Sequence, residues 1–289
     1  MTLSRTELGL KFNPSDEEIA FYKRNTGIQD DDRLREHIVG VAQKALEIYP
    51  YHSIHTFGFI RFRIRRFESG YQRLLGLGST RDNALFLDLG CCFGSDVRKA
   101  IEDGYPARNI IASDLRPEFW NFGHELFKTD PQTFPVTFIP GDVLDASFIS
   151  IQPPLQIPLE NSIVNTTILQ TNAKSLDFLR GHLSAIHTSA FFHLFGKDEQ
   201  LIIAKKLASL LSPLPGSIIF GSHVGGSEAL EGARNGTGTM FYRHSPETWR
   251  EMWEKQVFGG EGQVRVEAEI GGNLDDRDAR IMIWSVVRV

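Results

Sequence analysis

The stretch Leu85-Phe86-Leu87-Asp88-Leu89-Gly90-Cys91-Cys92-Phe93-Gly94-Ser95-Asp96 decides the fold. An apolar run of strand length leads into Gly90 and Gly94 and then into a helix-like segment, the outline of a nucleotide-binding strand-turn-helix. Glycines after a strand let the backbone turn tightly and approach a ligand, because no Cβ intervenes. The full Gly-x-Gly-x-x-Gly spacing of a dinucleotide turn is missing.

Working outward, short aliphatic runs follow at "NIIASDL", "FPVTFIP", "LSAIH", "GSIIFGS", "QVRVEAEI" and "RIMIWSVVRV", the earlier ones separated by helix-like or loop segments. Such alternation predicts an α/β fold, doubly wound around a mainly parallel sheet covered on both faces. The last two runs are joined by a polar Gly and Asp loop and predict an antiparallel pair at one edge. In open sheets of this kind ligands bind at the carboxyl ends of the strands, which singles out the residues there.

Three of those residues are acidic. Asp88 ends the first strand, Asp114 the second, and Asp142 follows the third in "PGDVLD". A carboxylate at Asp114 can accept from both ribose hydroxyls, and Asp142 is placed to accept from an exocyclic adenine amine. A pyrophosphate would be repelled by this cluster, whereas a cationic nucleoside bearing an ammonium and a sulfonium would be attracted. The pattern therefore favours S-adenosylmethionine over NAD. Two of these acids also have a purely structural role open to them: Asp114 as a cap before Pro117, and Asp142 as a turn residue.

Upstream, residues 1–80 read as a helical cap or lid, with the domain proper over 81–289 and an insertion at 146–178. In "DDDRLREHIVGVAQKALEIYP" the positions Leu34, Ile38, Val41, Ala42, Ala45 and Leu46 share one helical face. The aromatic and arginine-rich "YPYHSIHTFGFIRFRIRRF" is either packing against the main domain or a wall of the substrate site. The insertion is apolar and long for a compact domain, so it is an active-site cover, a dimer contact or a passive packed loop.

Composition excludes several classes. A chain of 289 residues with 41% apolar content builds a full core. With 31 basic and 36 acidic residues and a net charge of -5, no long basic block offers a phosphate-binding surface, so nucleic acid is not expected as a partner. No apolar run is long enough for a signal core or a bilayer span, which sets the expectation of a cytoplasmic chain without membrane contact. Cys91 and Cys92 are adjacent, which suits neither a disulfide framework nor a zinc site, and no metal is expected. His187 is expected to be buried at the end of the fourth strand and satisfied by backbone.

"FLDLGCCFGSD", "SDLRPEF", "GDVLD" and "IHTSAFFHLF", in that order, resemble class I S-adenosylmethionine-dependent methyltransferases, and their wording is similar to fungal meroterpenoid and secondary-metabolite pathway enzymes. The resemblance covers roughly residues 40 to 289. It implies a seven-stranded Rossmann-like sheet with a helical N-terminal extension, and often a homodimer. It places a nucleoside at Asp114 with Leu115 and at Asp142 with Val143, and the methionine moiety over Gly90 to Gly94. The expected cofactor set is thus Asp88, Gly90, Cys92, Gly94, Asp114, Leu115, Asp142, Val143 and Thr188.

The implied chemistry is in-line methyl transfer, for which alignment in a dry pocket supplies much of the rate. The acceptor expected is an oxygen of a polyketide or meroterpenoid intermediate, a carboxylate ahead of a phenol. An ionised carboxylate needs no base; a phenol would use a histidine, for which His193 is the first candidate and His52, His223 and His244 the others. Tyr51, His52, Arg61, Phe192, His223 and Arg243 are the expected substrate contacts, the arginines to hold an anion and the aromatics to wall an apolar pocket. A scaffold that keeps the cofactor site for a non-methylating step such as cyclisation, and a phenol or carbon methyltransferase, are the alternatives.

Overall fold

The computed structural model describes residues 5–158, 173–234, 240–260, 262–273 and 280–289. The chain opens with five helices, α1 (Arg5–Gly9), α2 (Asp16–Thr26), α3 (Asp31–Ile48), α4 (His52–His55) and α5 (Glu68–Thr80). Local chemistry sets their ends. Ser15 and Glu18 form a reciprocal capping box at the start of α2, and Gly27 closes it in the left-handed conformation at φ 74°. Asp30 caps α3 by accepting from Arg33 N at 2.9 Å.

The α/β part then runs β1 (Leu85–Leu89), α6 (Ser95–Glu102), β2 (Ile110–Ser113), α7 (Pro117–Phe127), β3 (Thr137–Phe138), β4 (Leu183–His187), α8 (Lys197–Leu210) and β5 (Ile218–Val224). After it come β6 (Leu230–Arg234), β7 (Met240–Arg243), α9 (Pro246–Glu251), β8 (Val264–Asn273) and β9 (Arg280–Arg288). Seven strands form one sheet in the order β3-β2-β1-β4-β5-β9-β8. All neighbours are parallel except β9, which runs against both β5 and β8. The expected doubly wound sheet with an antiparallel edge is present.

Strand alternation sorts side chains between the two faces. Leu85, Leu87 and Leu89 join a core with Ile203, Leu207 and Leu210 of α8, together with Trp249, Trp253 and Trp284. Phe86 and Ala185 point the other way, into a core with Leu74 of α5 and Val97 of α6. Asp88 and His187 share the parity of Phe86 and Ala185, and they are register partners across β1 and β4. Sheet order alone therefore brings an acid and an imidazole side by side.

The helical extension is packed firmly onto this frame. Leu34, Ile38, Val41, Ala42, Ala45 and Leu46 are all buried, in a cluster with Phe21, Tyr22, Phe57 and Phe59 that also takes in Phe93, Phe119 and Phe127 of the α/β part. Burying one such side chain contributes about 1.5–3 kcal/mol, so this interface is a core rather than a loose contact. A buried bond between Tyr22 Oη and Ser95 Oγ at 2.9 Å ties α2 to the start of α6.

Two details depart from expectation, and one bears on the insertion. β2 ends at Ser113, which leaves Asp114 just beyond the strand. β6 and β7 pair as a separate antiparallel hairpin that the sequence did not announce. At the insertion, Phe148, Ile149, Leu176 and Leu179 are buried, and Leu176 N donates to Phe148 O at 2.8 Å, so its base is zipped into the domain. Residues 159–172, on which the cover or dimer reading mainly falls, lie outside the described residues.

Candidate functional site

The turn after β1 is held from below. Gly90 N and Cys91 N both donate to Ser113 O, at 2.8 and 3.1 Å, and Gly94 N donates to Cys91 O at 2.8 Å. Gly90, Cys92 and Gly94 take φ of 75°, 51° and 70°. A Cβ on Gly90 would stand 2.8 Å from Phe191 Cδ2, so close approach as well as backbone conformation requires glycine there. Gly94 does not line the pocket itself; it opens α6 against Trp120 and Arg98.

A pocket sits over this turn. Asp88, Gly90, Cys91, Cys92, Phe93, Ser95 and Asp96 form one wall, and His187 and Ser189 a second. Ser53, Gly58, Phe59, Arg61 and Arg63 of the helical extension close the third. Two carboxylates and two guanidinium groups thus line one small space, which suits a zwitterion.

Asp88 is 2% exposed. Its Oδ1 meets His187 Nδ1 at 2.7 Å, and His187 Nε2 meets Ser189 Oγ at 2.8 Å. Asp88 Oδ2 is buried without a hydrogen-bond partner, an acceptor that burial makes unfavourable unless a ligand supplies a donor. His187 is buried as expected, but side chains rather than backbone satisfy it, because β1 and β4 set it in register with Asp88. Asp96 Oδ1 accepts from Ile64 N at 3.1 Å. Burial, reinforced by the charge of Asp88 and opposed by His187, pushes its carboxyl up to about 6. Burial also pushes both thiols up, so Cys91 and Cys92 are packed residues rather than nucleophiles.

Asp114 stands beside the same turn. One oxygen accepts from Cys92 N at 2.9 Å and the other from Arg116 N at 3.0 Å. It bonds within the turn rather than capping α7, whose N-cap is Arg116. Each carboxylate oxygen keeps a second lone pair for a hydroxyl donor. Leu115, 50% exposed, offers an apolar surface next to it. Tyr51 reaches the same place from the extension, where burial raises its hydroxyl and Arg116 and Asp114 are its charged neighbours. Asp142 is exposed and accepts from Leu144 N at 2.8 Å, a turn bond that leaves Oδ2 open. Val143 is buried, and its carbonyl accepts from the buried Lys206 Nζ at 2.7 Å, so α8 fixes this turn. Thr188 is 1% exposed with Oγ1 unpartnered, and it is not in the pocket lining.

The expected acceptor contacts are not brought together. Arg61 lines the pocket, yet its head donates to Glu18 Oε2 at 2.7 Å and to Asn13 O at 2.6 Å, so its charge is already matched. Phe192 and His223 are buried among Trp249, Trp253 and Trp284, and Trp284 Nε1 donates to His223 Nδ1 at 2.9 Å. Both were expected to face substrate; tryptophans from distant segments enclose them instead. His193 lies beside that cluster, its Nδ1 accepting from Val224 N at 3.4 Å, and Arg243 is on β7 next to Gly226. Neither lines the pocket. His52 opens α4, one residue before the pocket-lining Ser53.

Asp96, Arg63, Phe59, His187 and Ser189 are pocket residues that the sequence reading did not select. Asp96 stands inside the deciding stretch itself, and Arg63 inside the arginine run. For Asp96 the available signal is its place in the first turn of α6; for Arg63 there is none beyond the arginine run.

Comparison with known proteins follows the same geometry. The profile of the meroterpenoid methyltransferase N-terminal domain matches residues 10–60. The O-methyltransferase phiE of a fungal species is 34% identical over 220 residues, covering 76% of this chain and 64% of that protein. The O-methyltransferase atr3 of Stereocaulon alpinum is 29% identical, with 85% and 64% covered, so the chain spans less than two thirds of these two relatives. The asnovolin E/chermesin D methyltransferase nvfJ of Aspergillus novofumigatus is 30% identical over 224 residues, covering 78% of this chain and 70% of that one. Among solved structures, the 1,6-didemethyltoxoflavin-N1-methyltransferase of Burkholderia thailandensis, with 1,6-didemethyltoxoflavin and S-adenosylhomocysteine bound, shares the fold. Its TM-score is 0.50 at 11% identity, with 88% of this chain and 90% of that chain covered.

Proposed function

Because the chain belongs to the fungal methyltransferase family that includes nvfJ, we propose that it methylates an oxygen of a polyketide or meroterpenoid intermediate with S-adenosylmethionine as donor. The observation that carries this reading is Asp88 Oδ2, a buried acceptor without a partner in a pocket lined by charges of both signs. A cofactor ending in an ammonium and a carboxylate fits that lining. Asp88 and Asp96 would take the ammonium and Arg63 the carboxylate, while Asp114 and Asp142 keep lone pairs for ribose hydroxyls and the adenine amine. Leu115 would lie against the base. The bound sulfonium supplies an activated methyl carbon.

The chain's own task is then alignment and exclusion of water. Phe59, Phe93 and the packed helical extension form the dry side of the pocket. The acceptor we propose is a carboxylate, giving a methyl ester, because it arrives ionised and needs no base, and among the described residues His187 is the one histidine that lines the pocket. Both nitrogens of His187 are already engaged. The partner is a small molecule, not nucleic acid, given the net charge of -5. Among the described residues no helix is long and apolar enough to cross a membrane, and no group of three or more His, Cys, Asp or Glu could hold a metal ion.

The direct test is product mass with a small panel of amphiphilic polyketide acids. One added methyl per turnover with release of S-adenosylhomocysteine supports the reading; an isomerised product of unchanged mass would establish a scaffold role instead. Saturating S-adenosylhomocysteine should raise the Tm, by mass action on the native state, and NADH should not. A homodimer is proposed on the exposed apolar residues Ile151, Ile157 and Phe178 of the insertion, and a monomer in sedimentation at high concentration would remove it.

A further inference from the structure

We propose that His187 is a positioning residue for the amino-acid end of the cofactor, holding the Asp88 carboxylate so that Oδ2 is presented to the ammonium. The inference rests on the cofactor reading above and names a residue that does not itself touch the ligand. A carboxylate on a two-carbon side chain has a broad, nearly two-fold torsion, so burial alone does not fix which oxygen faces the pocket. Here one oxygen is taken and the other is not.

The hydrogen-bond chain has a direction. Ser222 N and Ser222 Oγ both donate to Ser189 Oγ, at 3.1 and 3.3 Å, which fills its acceptor positions and leaves the Ser189 hydroxyl proton for His187 Nε2 at 2.8 Å. With Nε2 accepting, the ring proton belongs on Nδ1, where it is donated to Asp88 Oδ1 at 2.7 Å. The imidazole therefore holds one oxygen of the Asp88 carboxyl from one side. The chain runs from β5 through the turn after β4 to β1, linking three adjacent parallel strands at their carboxyl ends.

The clamp is itself held. His187 lies 5.2 Å from the Phe220 ring, and the turn that carries Ser189 is fixed by Thr188 N to Phe220 O at 3.0 Å and Ala190 N to Ser222 O at 2.6 Å. Ala190 adopts φ 53°, a conformation rarely taken by a residue with a side chain and retained only where its surroundings enforce it. Strain, register and hydrogen bonding all converge on the orientation of one carboxylate.

The test separates the two ring nitrogens and the two ends of the ligand. His187→Asn puts an amide N–H where Nδ1 was, and His187→Gln puts one where Nε2 was. The probes are S-adenosylhomocysteine and 5′-methylthioadenosine, which share nucleoside and sulfur but differ in the amino-acid end, measured by calorimetry on variants whose circular dichroism is native. His187→Gln should weaken S-adenosylhomocysteine by about tenfold or more, the scale of a lost hydrogen bond to a charged group, and leave 5′-methylthioadenosine within about twofold. His187→Asn should restore most of the loss. Equal weakening of both probes, or no difference between Asn and Gln, would overturn the inference in favour of a merely structural histidine. Should the Gln variant not fold, Ser189→Ala leaves the Asp88 contact but frees Nε2, and absence of a loss selective for S-adenosylhomocysteine there overturns it as well. A wild-type chain that binds neither probe would sink the cofactor reading and this inference with it.

Discussion

His187 and His223 are imidazoles on neighbouring parallel strands, 1% and 4% exposed, and they do opposite things. His187 meets a carboxylate on one side and a hydroxyl on the other and lines the pocket. His223 accepts from the Trp284 indole and is ringed by Trp249 at 4.7 Å and Phe192 at 5.8 Å. Burial, with the nearby charges of His193 and His244, holds its pKa well below the ordinary value, so it stays a neutral core acceptor. Burial therefore does not separate a site residue from a core residue. What the neighbours can donate or accept does.

The largest expected effect breaks the two regions apart by stability. Trp284 is fully buried at the centre of the aromatic cluster, so Trp284→Ala should cost about 3–5 kcal/mol in a denaturant titration, the range for an aromatic truncated in a core. Affinity for S-adenosylhomocysteine in whatever remains folded should be unchanged. A large loss of affinity would mean that the cluster belongs to the site.

The converse change is Asp88→Asn. The amide oxygen can still accept from His187 Nδ1, which spares the fold, while the amide nitrogen now points a donor where an ammonium is to bind. Calorimetry should show a loss of about 1.5–3 kcal/mol in S-adenosylhomocysteine binding, with Tm nearly unmoved. Retained affinity would remove Asp88 from the ligand's surroundings.

A third, smaller effect is titratable. Asp96 is raised from 3.8 to about 6 in the folded chain, mainly by burial. The sign follows from linkage: a carboxyl whose folded pKa is raised stabilises the fold fully below its unfolded value and loses that contribution as pH rises through about 6. At neutral pH the ligand-free site therefore carries an unfavourable buried charge that a cationic ligand relieves. Affinity for S-adenosylhomocysteine should fall as pH drops below about 6, and Asp96→Asn should flatten that limb. A wild-type profile flat from pH 5 to 7.5 would place the ammonium elsewhere.

Much of the frame was legible because short aliphatic runs and punctuating glycines are local signals. All seven runs became sheet strands, and α3 buried the face its spacing marked. β6 and β7 escaped because "LEGAR" and "MFYR" are short and lack alternation, Gly232 sitting in the first at φ 98°. The site was legible where it is local, in the turn after β1, and illegible where it depends on register. Nothing near His187 in sequence shows that Asp88, 99 residues away, is its partner. Likewise Phe192 and His223 stand in aromatic surroundings that suit a pocket wall or a core equally, until Trp249, Trp253 and Trp284 arrive from elsewhere.

The smallest expected effect concerns His193, which the sequence put first as a base and which lies on the boundary between the two regions. Its Nδ1 accepts from Val224 N at 3.4 Å, a long bond to the end of β5, and its charge registers on His223 and is not among the causes that shift Asp96. It does not line the pocket. With a carboxylate acceptor no proton has to leave during transfer, so His193→Ala should lower kcat by less than about tenfold, well short of the ~10²–10⁴ typical of a lost general base. The rate of that variant should also keep the wild-type shape from neutral to alkaline pH. A hundredfold loss, or a new alkaline limb, would carry the reacting atoms across to the tryptophan side of β5 and turn the acceptor from a carboxylate into a hydroxyl.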